Sequence, residues 1–367
     1  MSFQLNSPLW KDKTLAAGAI TGMVSLLKGR SEQFNIMEVC GTHTMAIAAS
    51  GLRRMLPPGL KMLSGPGCPV CVTAPGDVDR AVAIAQEPGV ILATFGDMMK
   101  VRGIEKSLDD CRISGADIRV VYSPLDAVEI AVRNPGKKVV FLGVGFETTI
   151  PVIGASVLHA EAAGTDNFLV LPLFKLVPPA LQAVLSIPGH KIHGLILPGH
   201  VSVIIGVKPY EFVAEKHRVP CVITGFEPMD ILNAINMLLK QTAKGMPFVE
   251  VEYSRVVKPQ GNPAALAVIE KVFSRIDAHW RAVGLIKDSG LGFSSAYTRF
   301  DAGGYFDVPY KDTPEPAGCL CGQVLMGRAV PADCGLFGRA CTPSNAVGPC
   351  MVSSEGACAA WYKYGEG

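Results

Sequence analysis

At 367 residues, with 49% hydrophobic and 18% charged side chains, the chain is long enough for two or three domains and too apolar for disorder. With a formal net charge of +2 and no long run of Lys or Arg, nothing suggests the phosphate-neutralising surface of a nucleic-acid binder. No stretch of 18 apolar residues occurs, since even the richest one, Val139 to Leu158, is broken by Glu147, Thr148, Thr149 and Pro151, so no membrane span is expected.

The N-terminus shows no basic region followed by an apolar core and cleavage site, so a cytoplasmic protein is expected, and Leu15 to Leu27 reads as a short amphipathic helix. From residue 34 to about 225, short apolar β-prone runs alternate with helix-length segments. The runs are NIMEV, LKMLS, VILATFG, IRVVY, KVVFLGVG, NFLVLP, HGLILPG and VPCVITGF. Between them, Asp77 to Gln86, Pro124 to Arg133 and Met229 to Gln241 carry helical spacing. This βαβ pattern, with 39 Gly and 27 Pro for tight turns, predicts an α/β fold of parallel sheets covered by helices. The Asn134-Pro135-Gly136 turn suggests a boundary, giving α/β domains at 1–135 and 136–257. After Val257 the alternation stops. A helix over Ala264 to Val283 is expected, leading into a Cys-rich C-terminal region that completes a third unit, 258–367. The tripeptide Gly145-Phe146-Glu147 recurs as Gly225-Phe226-Glu227, a weak hint of duplication.

Open parallel sheets bind ligands beyond the carboxyl ends of their strands. The predicted exits carry Cys40, Gly41, Thr42 and His43; Asp97; Glu147 and Thr148; His200 and Ser202; and Glu227. Together they suggest one shared site, although singly each reads more simply as a helix cap or turn residue, which suits Asp77, Asp97 and Thr148. Gly143-Val144-Gly145 lacks the third glycine of a dinucleotide fingerprint, Thr148 standing in its place. His159, His190, His193, His217 and His279 fall in no ligand spacing and read as surface or satisfied core residues.

Eleven cysteines in a cytosolic chain point to metal ligands or redox thiols rather than structural disulfides. Six of them, Cys319, Cys321, Cys334, Cys341, Cys350 and Cys358, lie within forty residues of Gly- and Pro-rich tail. Such loops can wrap a 4Fe-4S cluster and point backbone N–H groups at its sulfurs, whereas zinc normally takes two C-x2-C pairs that the tail lacks. Cys68-Pro69-Val70-Cys71 is a C-x-x-C before a helix and reads as a redox pair rather than half a zinc site. Cys40-Gly41-Thr42-His43 offers a thiolate nucleophile or soft ligand beside an imidazole, with a buried cysteine at a strand end as the commoner reading. Cys111 and Cys221 sit in no motif and read as core residues.

In combination, CGTHTMAI at 40–47, GPGCPVCV at 65–72, TFGDMM at 94–99, GFETTIP at 145–151, PGHVS at 198–202 and MVSSEGACAAWY at 351–362 resemble the HypD family of nickel-iron hydrogenase maturation factors. The motifs run in order along nearly the whole chain. The resemblance implies assembly of an iron centre carrying two cyanides and one carbon monoxide, by a monomer that forms complexes with a HypC-type chaperone and a HypE-type cyanide donor. It implies Cys40 as a ligand of the assembled iron, Cys68 and Cys71 as the redox pair, and Cys321, Cys334, Cys341 and Cys358 as cluster ligands, leaving Cys319 and Cys350 surplus. His43, Asp97, Glu147 and His200 become proton-handling or supporting residues. The competing readings are a cluster-dependent disulfide or thiol reductase, which has no use for the Cys40 site, and a non-redox α/β enzyme with a structural cluster.

Overall fold

The computed structural model describes residues 12–365. The first eleven residues, which bear on the N-terminal reading above, lie outside them. The expected amphipathic helix runs from Lys13 to Leu27, started by the Asp12 side chain, which accepts from the Thr14 and Leu15 N–H groups.

All eight apolar runs are strands: β1 Phe34–Glu38, β2 Leu60–Ser64, β3 Val90–Thr94, β4 Ile118–Val120, β5 Lys138–Gly143, β6 Phe168–Pro172, β7 Gly194–Pro198 and β8 Cys221–Thr224. A short ninth strand, β9 Val249–Val251, follows. They pair in parallel as two sheets, β2-β1-β7-β8-β9 and β4-β3-β5-β6. The chain therefore leaves the first sheet after β2, builds the whole second sheet, and returns at β7. The Asn134-Pro135-Gly136 turn, read as a boundary, instead joins β4 to β5 within one sheet. Each sheet shares one order, its second strand lying outside the first and its third on the other side. The repeated Gly-Phe-Glu tripeptide does not follow that correspondence, since it sits after the third strand of one sheet and the fourth of the other.

Strand side chains alternate faces. On β5, Val140 and Leu142 join a central core while Val139 and Phe141 pack on the opposite side. On the first sheet, Met37, Leu195 and Leu197 meet that same central core, whereas Phe34, Ile36 and Ile196 face outward onto helices Lys13–Leu27 and Pro228–Lys244. Each such side chain contributes roughly 1.5–3 kcal/mol over leaving it exposed, so a one-residue slip of register is strongly disfavoured.

The segment after Val257 departs from expectation. Its helix spans only Pro263–Val272, and the chain then forms an antiparallel hairpin, β10 Phe273–Trp280 with β11 Gly284–Phe293. The hairpin wins because it buries Phe273 and Trp280, with the Trp280 indole N–H donating to Ser289 Oγ at 2.9 Å. The tail then runs back over the carboxyl edge of the first sheet. Its helix Ala357–Tyr364 packs on helix Gly41–Ser50, and its turn Pro349–Val352 packs on the turn Pro69–Val72. Cys321, Cys341, Cys350 and Cys358 belong to the central core shared by both sheets.

Candidate functional site

In each sheet the strand order reverses between its first and third strands, at β1/β7 and β3/β5. A crevice opens at such a switch point, because the connections on either side diverge to opposite faces. Cys40 follows β1 and His200 follows β7; Asp97 follows β3 and Glu147 follows β5.

Cys40 is the N-cap residue of helix Gly41–Ser50. Its backbone is held by the loop after β2, since the Gly41 N–H donates to Gly67 O at 2.9 Å and a Cβ on Gly67 would lie 2.5 Å from Cys40 Cα. Burial pushes the Cys40 thiol up to about 11, against the pull of the His43 N–H. The thiol thus stays protonated near neutrality, and an incoming soft metal must displace that proton to gain a thiolate ligand. Two residues on, Thr42 Oγ1 donates to Glu355 Oε1 at 2.8 Å.

His43 is fully buried, and burial lowers it to about 4, so it is neutral. Its Nε2 lies 2.9 Å from Gly225 O, which fixes the proton on Nε2 and leaves Nδ1 as a buried acceptor without a partner. The ring stacks on Phe226 at 4.6 Å, and Phe226 in turn stacks with His200 at 4.0 Å. One phenyl ring therefore links the two histidines.

Cys68 caps the turn Pro69–Val72 and accepts the Cys71 N–H at 3.3 Å. The Cys68 thiol donates to Ser353 Oγ at 3.3 Å, and the Ser353 hydroxyl lies 3.5 Å from Asp97 Oδ2. Cys71 is fully buried; burial raises its pKa, and its thiol contacts both Cys68 and Cys350. Cys350 contacts Cys321, Cys358 and Cys71, and Cys321 also contacts Cys319. The Cys321 N–H points at Cys319 Sγ at 3.5 Å, and the Val347 N–H points at Cys341 Sγ at 3.4 Å. Cys334 Sγ lies 3.7 Å from Gly318 O. All eleven cysteines are free.

The donor chemistry of these residues suits an iron-sulfur cluster, and the structure brings Cys319, Cys321, Cys350 and Cys358 together. The six tail thiols lie in Gly-rich loops, and backbone N–H groups point at two of the sulfurs, Cys319 and Cys341. Gly348 leaves room beside two of them, since a Cβ there would lie 2.5 Å from Cys321 Sγ and 2.6 Å from Cys319 Sγ. Thiol neighbours and burial hold Cys319 and Cys350 in the protonated form, a tension that binding to a cationic iron core would relieve. Among the described residues no three His, Cys, Asp or Glu side chains are grouped to hold a single metal ion.

The Ser353 to Glu355 turn therefore gathers Cys40 through Thr42, Cys68 and Asp97 through Ser353, and the pair Cys71–Cys350 just behind it. Ser353, Glu355 and Phe226 escaped the residue-by-residue reading, although Ser353 and Glu355 lie in the MVSSEGACAAWY motif and Phe226 in the repeated tripeptide. Glu147 is held apart from this group. Its Oε1 accepts the Val177 N–H at 2.9 Å, while its Oε2 is buried without a partner beside a separate cavity. Cys111 and Cys221 are core residues, and His193 and His279 stack on Phe34 and Tyr310.

Burial raises Glu147 from an ordinary 4.5 to about 7. The folded protein then binds this proton more tightly than the unfolded chain, so the stability it supplies is complete below about pH 4.5 and lost as pH rises through about 7. Glu147→Gln keeps the acceptor for Val177 and removes the titration. We expect the variant to match its parent near pH 4 and to exceed it by up to about 3 kcal/mol near pH 8, read by urea unfolding. A parallel pH profile for both proteins would show that Glu147 is ionised in the fold.

Fold and site together define a doubly wound α/β protein built around converging thiols, and no helix among the described residues is long and apolar enough to cross a membrane. The family model described as "HypD: Hydrogenase formation hypA family" matches residues 16–365. The hydrogenase maturation factor HypD of Rhodobacter capsulatus is 44% identical over 365 residues, covering 97% of each chain. That of Escherichia coli is 44% identical over 330 residues, covering 90% of this chain and 88% of its own. This chain belongs to the HypD family of hydrogenase maturation factors.

Proposed function

We propose that the chain is the scaffold on which the iron of a nickel-iron hydrogenase receives its cyanide and carbonyl ligands, in the cytoplasm and in complex with a HypC-type chaperone and a HypE-type cyanide donor. The observation that carries this reading is the Ser353 to Glu355 turn, which ties the Cys40 loop to Cys68 and backs both with the Cys71–Cys350 contact. A site for one iron and a source of electrons thus share a single turn.

The iron is the substrate, and Cys40 is its thiolate ligand from this chain. Cyanide arrives as a thiocyanate on the donor. Cleaving its S–C bond takes two electrons and two protons and yields a thiol and hydrogen cyanide. Cys68 and Cys71 supply both as they close to a disulfide, so atoms and electrons balance. Iron captures cyanide and the hydrogen cyanide proton is released, for which Glu355, Asp97 and His200 are the nearby acceptors. Cys321, Cys334, Cys341 and Cys358 would hold a 4Fe-4S cluster, with Cys319 competing for the place of its neighbour Cys321. When bound, that cluster supplies one-electron chemistry close to Cys71.

A cluster-dependent disulfide reductase would use the same dithiol, yet it leaves the buried Cys40 thiol and the Thr42–Glu355 contact without a task. The test is anaerobic purification with the HypC-type partner, then infrared spectroscopy of the cyanide and carbonyl region with iron counting. We expect bands and about one iron beyond the cluster in the parent, lost in Cys40→Ala. Cluster iron alone, no bands and intact dithiol turnover would favour the reductase.

A further inference from the structure

A cavity of about 780 Å³ lies at the seam where elements of the two sheets meet the β10–β11 hairpin, and nothing in the proposed assembly chemistry uses it. It is within the ~300–1,000 Å³ typical of small-molecule sites. Leu176, Ile205, Phe212, Ile269, Phe273 and Leu291 make its walls apolar. The Glu147 carboxyl lies in its lining, only 3% exposed, with Oε2 lacking any hydrogen-bond partner. A buried carboxyl oxygen left unpaired costs about 1–3 kcal/mol, which a bound partner would recover.

Cations outnumber carboxylates around the cavity. Lys208, Lys216 and Arg275 line it, and none of them takes part in an ion pair among the described residues. Glu270 is the only other acidic residue in the lining. Three unpaired cations over apolar walls favour an anion with a hydrophobic body and repel a cation. We propose that this cavity binds a small amphipathic acid, its apolar body between Leu176, Phe212 and Leu291, its carboxylate toward Lys208, Lys216 and Arg275, and an internal polar group on Glu147. Held near neutrality by burial, Glu147 can donate its proton to such a group or accept one from it. The occupant touches helix Val177–Leu185, which carries the chain from β6 of the second sheet to β7 of the first, and the 208–216 segment between β7 and β8, so it would brace the crossover between the sheets.

The test titrates the full-length protein with octanoate and with naphthalene-2-carboxylate, using 1-octanol and 2-naphthol as neutral counterparts, by calorimetry and naphthoate fluorescence. At least one acid is expected to saturate with a Kd below about 1 mM and to bind about tenfold or more tightly than its alcohol. Lys208→Glu and Arg275→Glu, both at exposed positions, should each weaken the acid about tenfold. Leu266→Trp, which fills the cavity from helix Pro263–Val272, should abolish binding while near-ultraviolet circular dichroism confirms the fold. Equal affinity for acid and alcohol, binding that survives Leu266→Trp, or no saturation by either acid up to about 10 mM would each overturn the proposal. In the last case the cavity is left to a segment of a partner protein.

Discussion

Gly67→Ala is expected to cost about 3 kcal/mol or more and to strip Cys40 of its position. The residue's φ is unremarkable, so the reason is contact rather than backbone freedom. An added Cβ would overlap the backbone of Val39 and Cys40, and backbone cannot rotate aside as a side chain can. To relieve the overlap, the loop after β2 must lift from the loop after β1, breaking the Gly41 N–H to Gly67 O bond at 2.9 Å. Cys68 rides on the same loop, so the separation of Cys40 and Cys68 changes too. Gly18→Ala is the control. It sits exposed within helix Lys13–Leu27 with nothing near its would-be Cβ, and it should gain up to about 1 kcal/mol of helix propensity. Denaturant unfolding of both variants, with thiol labelling of Cys40, reads the contrast. Equal stabilities, with Cys40 still protected in Gly67→Ala, would mean that the loops are not locked together.

The second expectation concerns a buried ion pair outside the thiol site. Lys175 follows β6 and reaches Asp77, in the first turn of helix Pro75–Ala85, at 3.1 Å, with side chains 2% and 7% exposed. The more distant Arg80, at 3.7 Å, is the other cation on Asp77. The Lys175–Asp77 pair fastens the segment that follows Cys71 to the second sheet, while Arg80 lies on Asp77's own helix. Lys175→Met removes the charge with little change of volume and strands a desolvated carboxylate, an expected loss of about 3 kcal/mol. Adding Asp77→Asn should return most of that loss, because the unpaired charge is then gone. The coupling energy from a double-mutant cycle is the measurement. Strict additivity of the two substitutions would show that Arg80 and water already satisfy Asp77.

The strands were legible because parallel strands buried on both faces read as short unbroken apolar runs, and all eight such runs are strands. The residues that carry unusual chemistry were legible for a similar reason. Cys40, Cys68, Cys71 and the tail cysteines announce themselves by type and spacing, and their combined motifs pointed to the family that the relatives confirm. The β10–β11 hairpin was not legible. Exposed Ser274, Arg275 and Asp277 blur its alternation, and the helix-forming stretch before it invites continuation past Val272.

Tertiary structure alone decided the pairing. Nothing local in LKMLS or VILATFG says that the chain changes sheets between them, since both are apolar strands and either could pair with either. What separates them is the packing of a shared central core that can be built only once β7 has returned beside β1. The same long-range closure brings Ser353 and Glu355, residues of ordinary type, against Cys68 and Thr42, and leaves Glu147 on a cavity of its own. Residue type fixes which groups can do chemistry. Which of them meet depends on contacts hundreds of residues apart, whose geometry no local pattern encodes.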